Sequence, residues 1–421
     1  MDNAAIPPRA TDPRRKFLFL LVLVGIFVLG QELVLRVIFP VPEVTNFNRV
    51  RYSQVWFKDG DKPAGFLANT AYRYGSSLDE AEFVHSLNLY GFRDRDWTLE
   101  KPAGTTRIAF LGDSFMEGAM APDDQTIPEG FRAAAAAAGD RYDVMNLGIQ
   151  ATGPVEYMMI AGDAVPLFKP DHVVVVFYEN DFYNPPSEGA WPLAGTLGTP
   201  RYTSLWTPRI VELLRNIAER KPNPRRWRGA PFPFFGAVPD PRNPMSHPEF
   251  VDQVSSYIDP DIRAAMAAGT FNPFVANLYV LERESLTPPI NLSAYLLAFQ
   301  DWLKEHDVEL LLAYIPINHQ ISDAYLHYHA RFCEDKQPQS LRGEEYRTHP
   351  KSVATICDVL GIPFLDLTPK LEALEAAGNR LYWNYDNHMR GESYHLVGEL
   401  LHEWFKAQTE KDSEHPTASP Q

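Results

Sequence analysis

The chain reads as an α/β protein with a parallel sheet of about five strands and helices on both faces. Short apolar runs of strand length recur along it, at Arg107–Leu111, Asp143–Asn146, His172–Tyr178, Val308–Tyr314 and Pro363–Leu365. Helix-compatible segments lie between most of them, and that alternation is the pattern of a parallel sheet. The run HVVVVFY at His172–Tyr178 is the strongest buried-strand signal. The alanine-rich stretch Phe131–Ala138 supplies one helix. Apolar positions at Leu396, Val397, Leu400, Leu401, Trp404 and Phe405 mark an amphipathic helix near the C-terminus. With 421 residues, 45% of them hydrophobic and 12% aromatic, the chain can bury a large core and still carry appendages.

The appendages follow from composition. Residues 1–16 read as a cytoplasmic tail ending in Arg14-Arg15-Lys16, and residues 17–40 as a transmembrane anchor. Phe17–Gly30 is free of charge but spans only about 21 Å as a helix, short of a ~30 Å hydrocarbon core. Counted to Phe39, past Gln31, Glu32 and Arg36, it reaches roughly 35 Å. Positive residues ahead of it place that end in the cytoplasm and the rest of the chain outside. A cleaved export signal is the alternative, with Gly30 at a cleavage site and a twin-arginine-like RRKFL. Residues 41–104 form an aromatic-rich stem with little periodicity, and 105–408 the main domain. That domain carries an insertion over about 183–288, and 409–421 is a disordered tail. The insertion holds a helix candidate at Trp206–Glu219 and then a Pro-rich basic stretch with Trp227, Phe232, Phe234 and Phe235. It reads either as a wall over a binding site or as a solvent-facing linker. A net charge of −15 argues against a nucleic-acid partner.

Chemistry enters at Arg107–Gly118, RIAFLGDSFMEG, where a strand breaks at Gly112 and delivers Asp113 and Ser114 onto a turn. A serine there sits where open α/β sheets place their ligands. Serine needs a base to take its proton and a third group to orient that base. Leu381–His388, LYWNYDNH, puts Asp386 and His388 together on a loop just before the terminal helix. An oxyanion also needs donors. Gly148, ending DVMNLG, offers a backbone N–H at close approach, and Asn180, just after the strongest strand, offers a side-chain amide. Each block also has an ordinary reading, as a turn residue, a helix cap or a surface histidine.

The ordered set Gly112-Asp113-Ser114, Gly148, Asn180-Asp181 and Asp386 with His388 resembles the SGNH (GDSL-type) hydrolases, in their membrane-anchored bacterial form. The resemblance spans roughly 107–405. It implies a flavodoxin-like three-layer α/β/α sandwich, with Ser114 as nucleophile, His388 as base and Asp386 as the orienting acid. It further implies an oxyanion hole from the Ser114 and Gly148 N–H groups and the Asn180 side chain. Two departures stand out: Tyr178-Glu179-Asn180-Asp181 replaces Gly-x-Asn-Asp, and Asp386-Asn387-His388 is tighter than Asp-x-x-His. Asp366, ending PFLDL, is the alternative acid, Asp113 a brace for the turn and His395 a helix-face residue. Leu89-Tyr90-Gly91-Phe92-Arg93 also resembles a run found ahead of the first strand in anchored members.

The resemblance implies a serine esterase acting on carboxylic esters, O-acetyl groups of an envelope polysaccharide among them, at a bacterial inner membrane with the site facing the periplasm or exterior. An O-acyltransferase with the same triad, or a non-catalytic envelope binding protein, remains open. No cofactor is expected. No metal site is expected either, because nothing completes a ligand set around His327 and His329. In an oxidising compartment Cys333 and Cys357 are candidates for a disulfide.

Overall fold

Apolar runs that end in Gly, Asn or a charged residue become the strands. The computed structural model describes residues 13–38, 71–75, 82–88, 90–150, 152–182, 208, 210–211, 237–240, 243–271, 292–332, 336, 338 and 340–414. Within these, β1 (Ala71–Gly75) and β2 (Glu82–Ser86) form an antiparallel pair. A second sheet is wholly parallel: β3 (Thr106–Leu111), β4 (Tyr142–Asn146), β5 (His172–Tyr178), β6 (Glu309–Ile315) and β7 (Phe364–Asp366). Its order is β4-β3-β5-β6-β7, the flavodoxin-like arrangement. Ligands of such sheets bind beyond the carboxyl ends of the strands, where the connections reverse direction. Here that point lies between β3 and β5.

The described helices are α1 (Pro13–Ile38), α2 (Ser114–Glu117), α3 (Ile127–Ala138), α4 (Pro154–Phe168), α5 (Pro248–Ser255) and α6 (Pro260–Ala267). They continue with α7 (Leu292–Lys304), α8 (Asn318–Ile321), α9 (Leu326–His329), α10 (Thr348–Leu360), α11 (Thr368–Ala376) and α12 (Gly391–Glu414). Successive strand residues point to opposite faces, which sorts the core into two layers. Ala109, Val173, Val175 and Leu312 pack with Tyr157 and Ala161 of α4, Phe299 of α7 and Val353 of α10. Ile108, Val174, Val176 and Leu311 pack with Phe131 of α3 and Val397, Leu401 and Phe405 of α12. The result is the three-layer sandwich expected of the sequence, and the five strands fall within one or two residues of their expected ends.

Helices α3 and α12 touch backbone to backbone. A Cβ on Gly398 would lie 2.1 Å from the Ile127 carbonyl oxygen, and one on Gly130 would lie 1.9 Å from that of His395. Only glycine fits at either place.

The N-terminal half departs from the expected plan. The hairpin β1–β2 lies in the supposed stem, and residues beyond it belong to the core rather than to a separate stem. Tyr90, Phe92 and Trp97 are buried with Phe168, the Tyr90 and Trp97 rings stacked at 5.7 Å. This irregular aromatic wrap has no helical or strand period, which is why periodicity missed it. Arg107, wholly buried at the start of β3, fixes the wrap by donating to the carbonyls of Leu99 (3.0 Å), Thr98 (2.9 Å) and Glu100 (3.1 Å).

Helix α1 is long and apolar enough to cross a membrane. Its 26 residues measure about 39 Å and its large apolar side chains are exposed. Glu32 and Arg36, which interrupt the apolar run, pair with each other at 2.7 Å one turn apart. At the other end α12 continues to Glu414, past Thr409, because the polar run there still consists largely of good helix formers. Much of the insertion, including Trp227, Phe232, Phe234, Phe235 and most of 206–219, lies outside the described residues, as does Cys333. Cys357 is a free, buried thiol whose pKa burial pushes up to about 12.

Gly398→Ala will lower stability by about 1–3 kcal/mol or more through the overpacked crossing. Gly162→Ala, at a mid-α4 position with open space around its Cβ, will be neutral or stabilising by roughly 0.5–1 kcal/mol. Chemical denaturation of the two variants checks both.

Candidate active site

The turn after β3 is built around Asp113. Its side chain caps α2, accepting from the Phe115 N–H at 2.8 Å, and this holds Ser114 as the first residue of a one-turn helix. The Ser114 hydroxyl lies 2.7 Å from His388 Nε2 and 3.4 Å from the other Asp113 oxygen. His388 Nδ1 hydrogen-bonds the Asp386 carboxylate, which also accepts the His388 backbone N–H at 3.0 Å. Ser114, Asp386 and His388 are thus joined in one hydrogen-bonded chain. Asp386 is wholly buried and Ser114 is 7% exposed. Burial alone would pull the His388 pKa down, but the adjoining Asp386 carboxylate, with smaller help from Asp113 and Glu117, outweighs it and holds the pKa above 6.5.

The loop carrying the acid and base is fastened at several points. Tyr382 bridges to Met389, and the Trp383 N–H donates to the His388 carbonyl at 3.0 Å. The Tyr382 hydroxyl donates to the Pro316 carbonyl at 2.5 Å, just after β6. The Trp383 indole donates to the Met120 carbonyl at 3.0 Å, tying this loop to the one that follows α2. The alternative acid Asp366 has other work, accepting from the Thr368 N–H at 2.9 Å at the start of α11. His395 pairs with Glu399 along α12, as a helix-face residue would.

The expected oxyanion donors reach the same corner but are engaged. A Cβ on Gly148 would sit 2.3 Å from the Glu117 nitrogen, so glycine alone lets this segment lie against α2. The Gly148 N–H donates to Asn146 Oδ1 at 2.9 Å. The Asn180 side chain hydrogen-bonds the Asp113 carboxylate. The Ser114 N–H opens α2 and so has no intrahelical partner. Two buried carboxyls lie beneath. Desolvation raises the pKa of Asp113, and desolvation followed by the nearby Asp113 charge raises that of Asp181 well above the usual range. Asp181 accepts from the Tyr157 hydroxyl at 2.6 Å and the Tyr178 N–H at 2.9 Å.

Several residues around the site escape a reading of the sequence. Tyr178 stands where the resembled pattern has glycine, and its ring stacks on Phe115 at 3.6 Å while its hydroxyl accepts from Asn387 at 3.1 Å. Glu179 turns away from the site to buried His349, 2.7 Å off, and to Tyr314. Glu117, on α2, is buried against His85 of β2 at 3.5 Å and accepts from the Gln150 N–H at 2.8 Å. The departure from the family pattern at Tyr178 was the one signal that pointed to any of them.

The described part of the insertion also reaches this loop. Val254, Ile258, Ile262, Met266 and Phe271 form a small core with Phe332, and Tyr385 packs on it. Arg331 donates to the Tyr385 hydroxyl at 2.6 Å and pairs with Asp259 at 3.2 Å and with Asp261. His327 and His329 fall in the helical turn α9, where His329 stacks on His319 at 5.1 Å. Among the described residues no group of three or more His, Cys, Asp or Glu is arranged to hold a metal.

His388 will titrate above 6.5, and Asp386→Asn, by removing the carboxylate that favours the charged ring, will bring its pKa down. NMR of the imidazole signals as pH is varied checks both.

No family model matches the chain, and no curated protein does. Solved structures that align with it include a lipase/acylhydrolase from Enterococcus faecalis, 12% identical, covering 72% of this chain and 97% of that one at a TM-score of 0.32. A psychrotrophic esterase from Pseudoalteromonas sp. is 11% identical over 72% and 99%, at 0.32. An acetyl xylan esterase is 10% identical over 72% and 98%, at 0.34. A likeness this distant carries no weight for the chemistry of this chain; its fold rests on its own strand order and its site on its own distances.

Proposed function

We propose that this chain is a serine ester hydrolase of the SGNH type, held at a membrane by α1. The observation that carries the reading is the Ser114–His388–Asp386 hydrogen-bonded chain. Ser114 Oγ attacks the ester carbonyl carbon while His388 Nε2 takes its proton, and Asp386 holds the ring by Nδ1–H and stabilises the imidazolium. The tetrahedral intermediate collapses as the protonated ring gives its proton to the leaving alcohol. Water, deprotonated by the same ring, then releases the acid and frees Ser114.

The Ser114 N–H is the first oxyanion donor. Gly148 and Asn180 join it by exchanging their partners, Asn146 and Asp113, for the developing charge. Within this reading the substrate is a small acyl ester, O-acetyl on a polysaccharide being the candidate that the family resemblance supports. Arg14, Arg15 and Lys16 in the first turn of α1 support an extracytoplasmic site in a bacterial envelope, which protease added to spheroplasts would test by cutting the domain.

A fluorophosphonate probe on the full chain should form an adduct that mass spectrometry locates on Ser114, and His388→Ala should not form it. A folded wild-type protein with no adduct rejects the reading. Asn180→Ala should lower kcat on p-nitrophenyl acetate by roughly 10²–10³-fold. Because the base must be neutral, the rate should rise with pH through the raised His388 pKa. The limb should move to lower pH in Asp386→Asn, whose kcat should fall by up to about 10⁴-fold.

A further inference from the structure

We propose that Arg93 is a positioning residue for Ser114, acting from the segment ahead of the sheet on both sides of the site. The inference rests on the reading of Ser114 as the nucleophile. A helix of four residues is unstable by itself, and its last carbonyls have no intrahelical partner. Asp113 holds the first end of α2. Arg93 holds the other: its buried guanidinium donates to the carbonyls of Gly118, of Ala121 at 2.6 Å and of Glu117 at 3.3 Å. Asp123 fixes the guanidinium in turn, accepting from Nε at 2.9 Å.

The same residue acts a second time through its backbone. The Arg93 carbonyl accepts from Asn146 Nδ2 at 3.1 Å, and Asn146 Oδ1 accepts the Gly148 N–H at 2.9 Å. Asp94, next in the chain, accepts the Asn146 N–H at 2.8 Å and pairs with Arg132 of α3 at 2.6 Å. Asn88 sets the turn that aims Arg93, its side chain accepting from the N–H groups of Tyr90 (2.9 Å) and Phe92 (3.0 Å). One arginine therefore spans the nucleophile turn and the Gly148 segment, adding to the direct bonds between them, the Ile149 N–H on the Gly112 carbonyl at 3.1 Å and the Gln150 N–H on Glu117 at 2.8 Å. A planar fork with five donors can serve three carbonyls and a carboxylate together, which lysine cannot.

The test uses the full-length protein in detergent, with fluorophosphonate labelling of Ser114, p-nitrophenyl acetate turnover and amide exchange read together. Arg93→Ala should slow labelling and lower kcat on the order of 100-fold, leave KM little changed, and raise exchange at Gly118 and Ala119. Added methylguanidinium should restore part of the rate, and Arg95→Ala, at an exposed position, should behave as wild type. A folded Arg93→Ala that labels at the wild-type rate overturns the proposal, as does a loss that methylguanidinium leaves unchanged. Should Arg93→Ala fail to fold, Arg93→Lys keeps the charge without the fork, and wild-type labelling there overturns the proposal equally. If wild type itself takes no label, the hydrolase reading fails, and the exchange comparison alone decides whether Arg93 holds the turn.

Discussion

The spacing between Ser114 and His388 is the constraint on which the rest of the molecule depends. The two residues are 274 positions apart, yet Ser114 Oγ and His388 Nε2 lie 2.7 Å apart. No local structure can fix that distance. It is fixed by α3, which follows the nucleophile turn, lying against α12, which follows the base. Their backbones meet at Gly130 and Gly398, where even a methyl group would force them apart. The Trp383 indole on Met120 then ties the two loops directly. A helix crossing that looks like ordinary core packing is thus the element that sets the reactive geometry.

Buried negative charge has opposing effects at such a site. Asp386, Asp113 and Glu117 all favour protonation of His388, which makes the ring a stronger base. The same charges would repel an oxyanion on the carbonyl carbon held by Ser114. Desolvation raises the pKa of Asp113, and the hydrogen bonds from the Phe115 N–H, the Asn180 amide and Ser114 act against that rise. Asp386 stays on the far side of the imidazole, so its charge is felt mostly by Nδ1. The site separates a carboxylate that serves the base from one that braces the turn.

How much of this could be read beforehand depends on how local each signal was. The five sheet strands were legible because each is a continuous apolar run with an abrupt polar end. Ser114, Asp386 and His388 were legible because each sits at such an end or just before an amphipathic helix. Arg93 and Arg107 were not, since arginine is rarely buried and nothing in the sequence marks the carbonyls that surround them. Residues 90–97 packed into the core without a period, so they read as stem. The partner of Asn180 was equally hidden, because Asp113 becomes its neighbour only once strands β3 and β5 are side by side, whereas Gly148 is engaged by Asn146, only two residues before it.

The insertion bears on the same geometry through one residue. Tyr385 immediately precedes Asp386, and its ring packs on the small core formed by α5, α6 and Phe332. Arg331 closes the arrangement, touching the Tyr385 hydroxyl and the Asp259 and Asp261 carboxylates together. A solvent-facing linker has no reason to bury apolar side chains against the loop that carries Asp386. Because Tyr385 and Asp386 share a peptide bond, a shift of this helical unit displaces the acid, and through it the tilt of the His388 ring. The described part of the insertion therefore packs against the loop that carries Asp386 and His388.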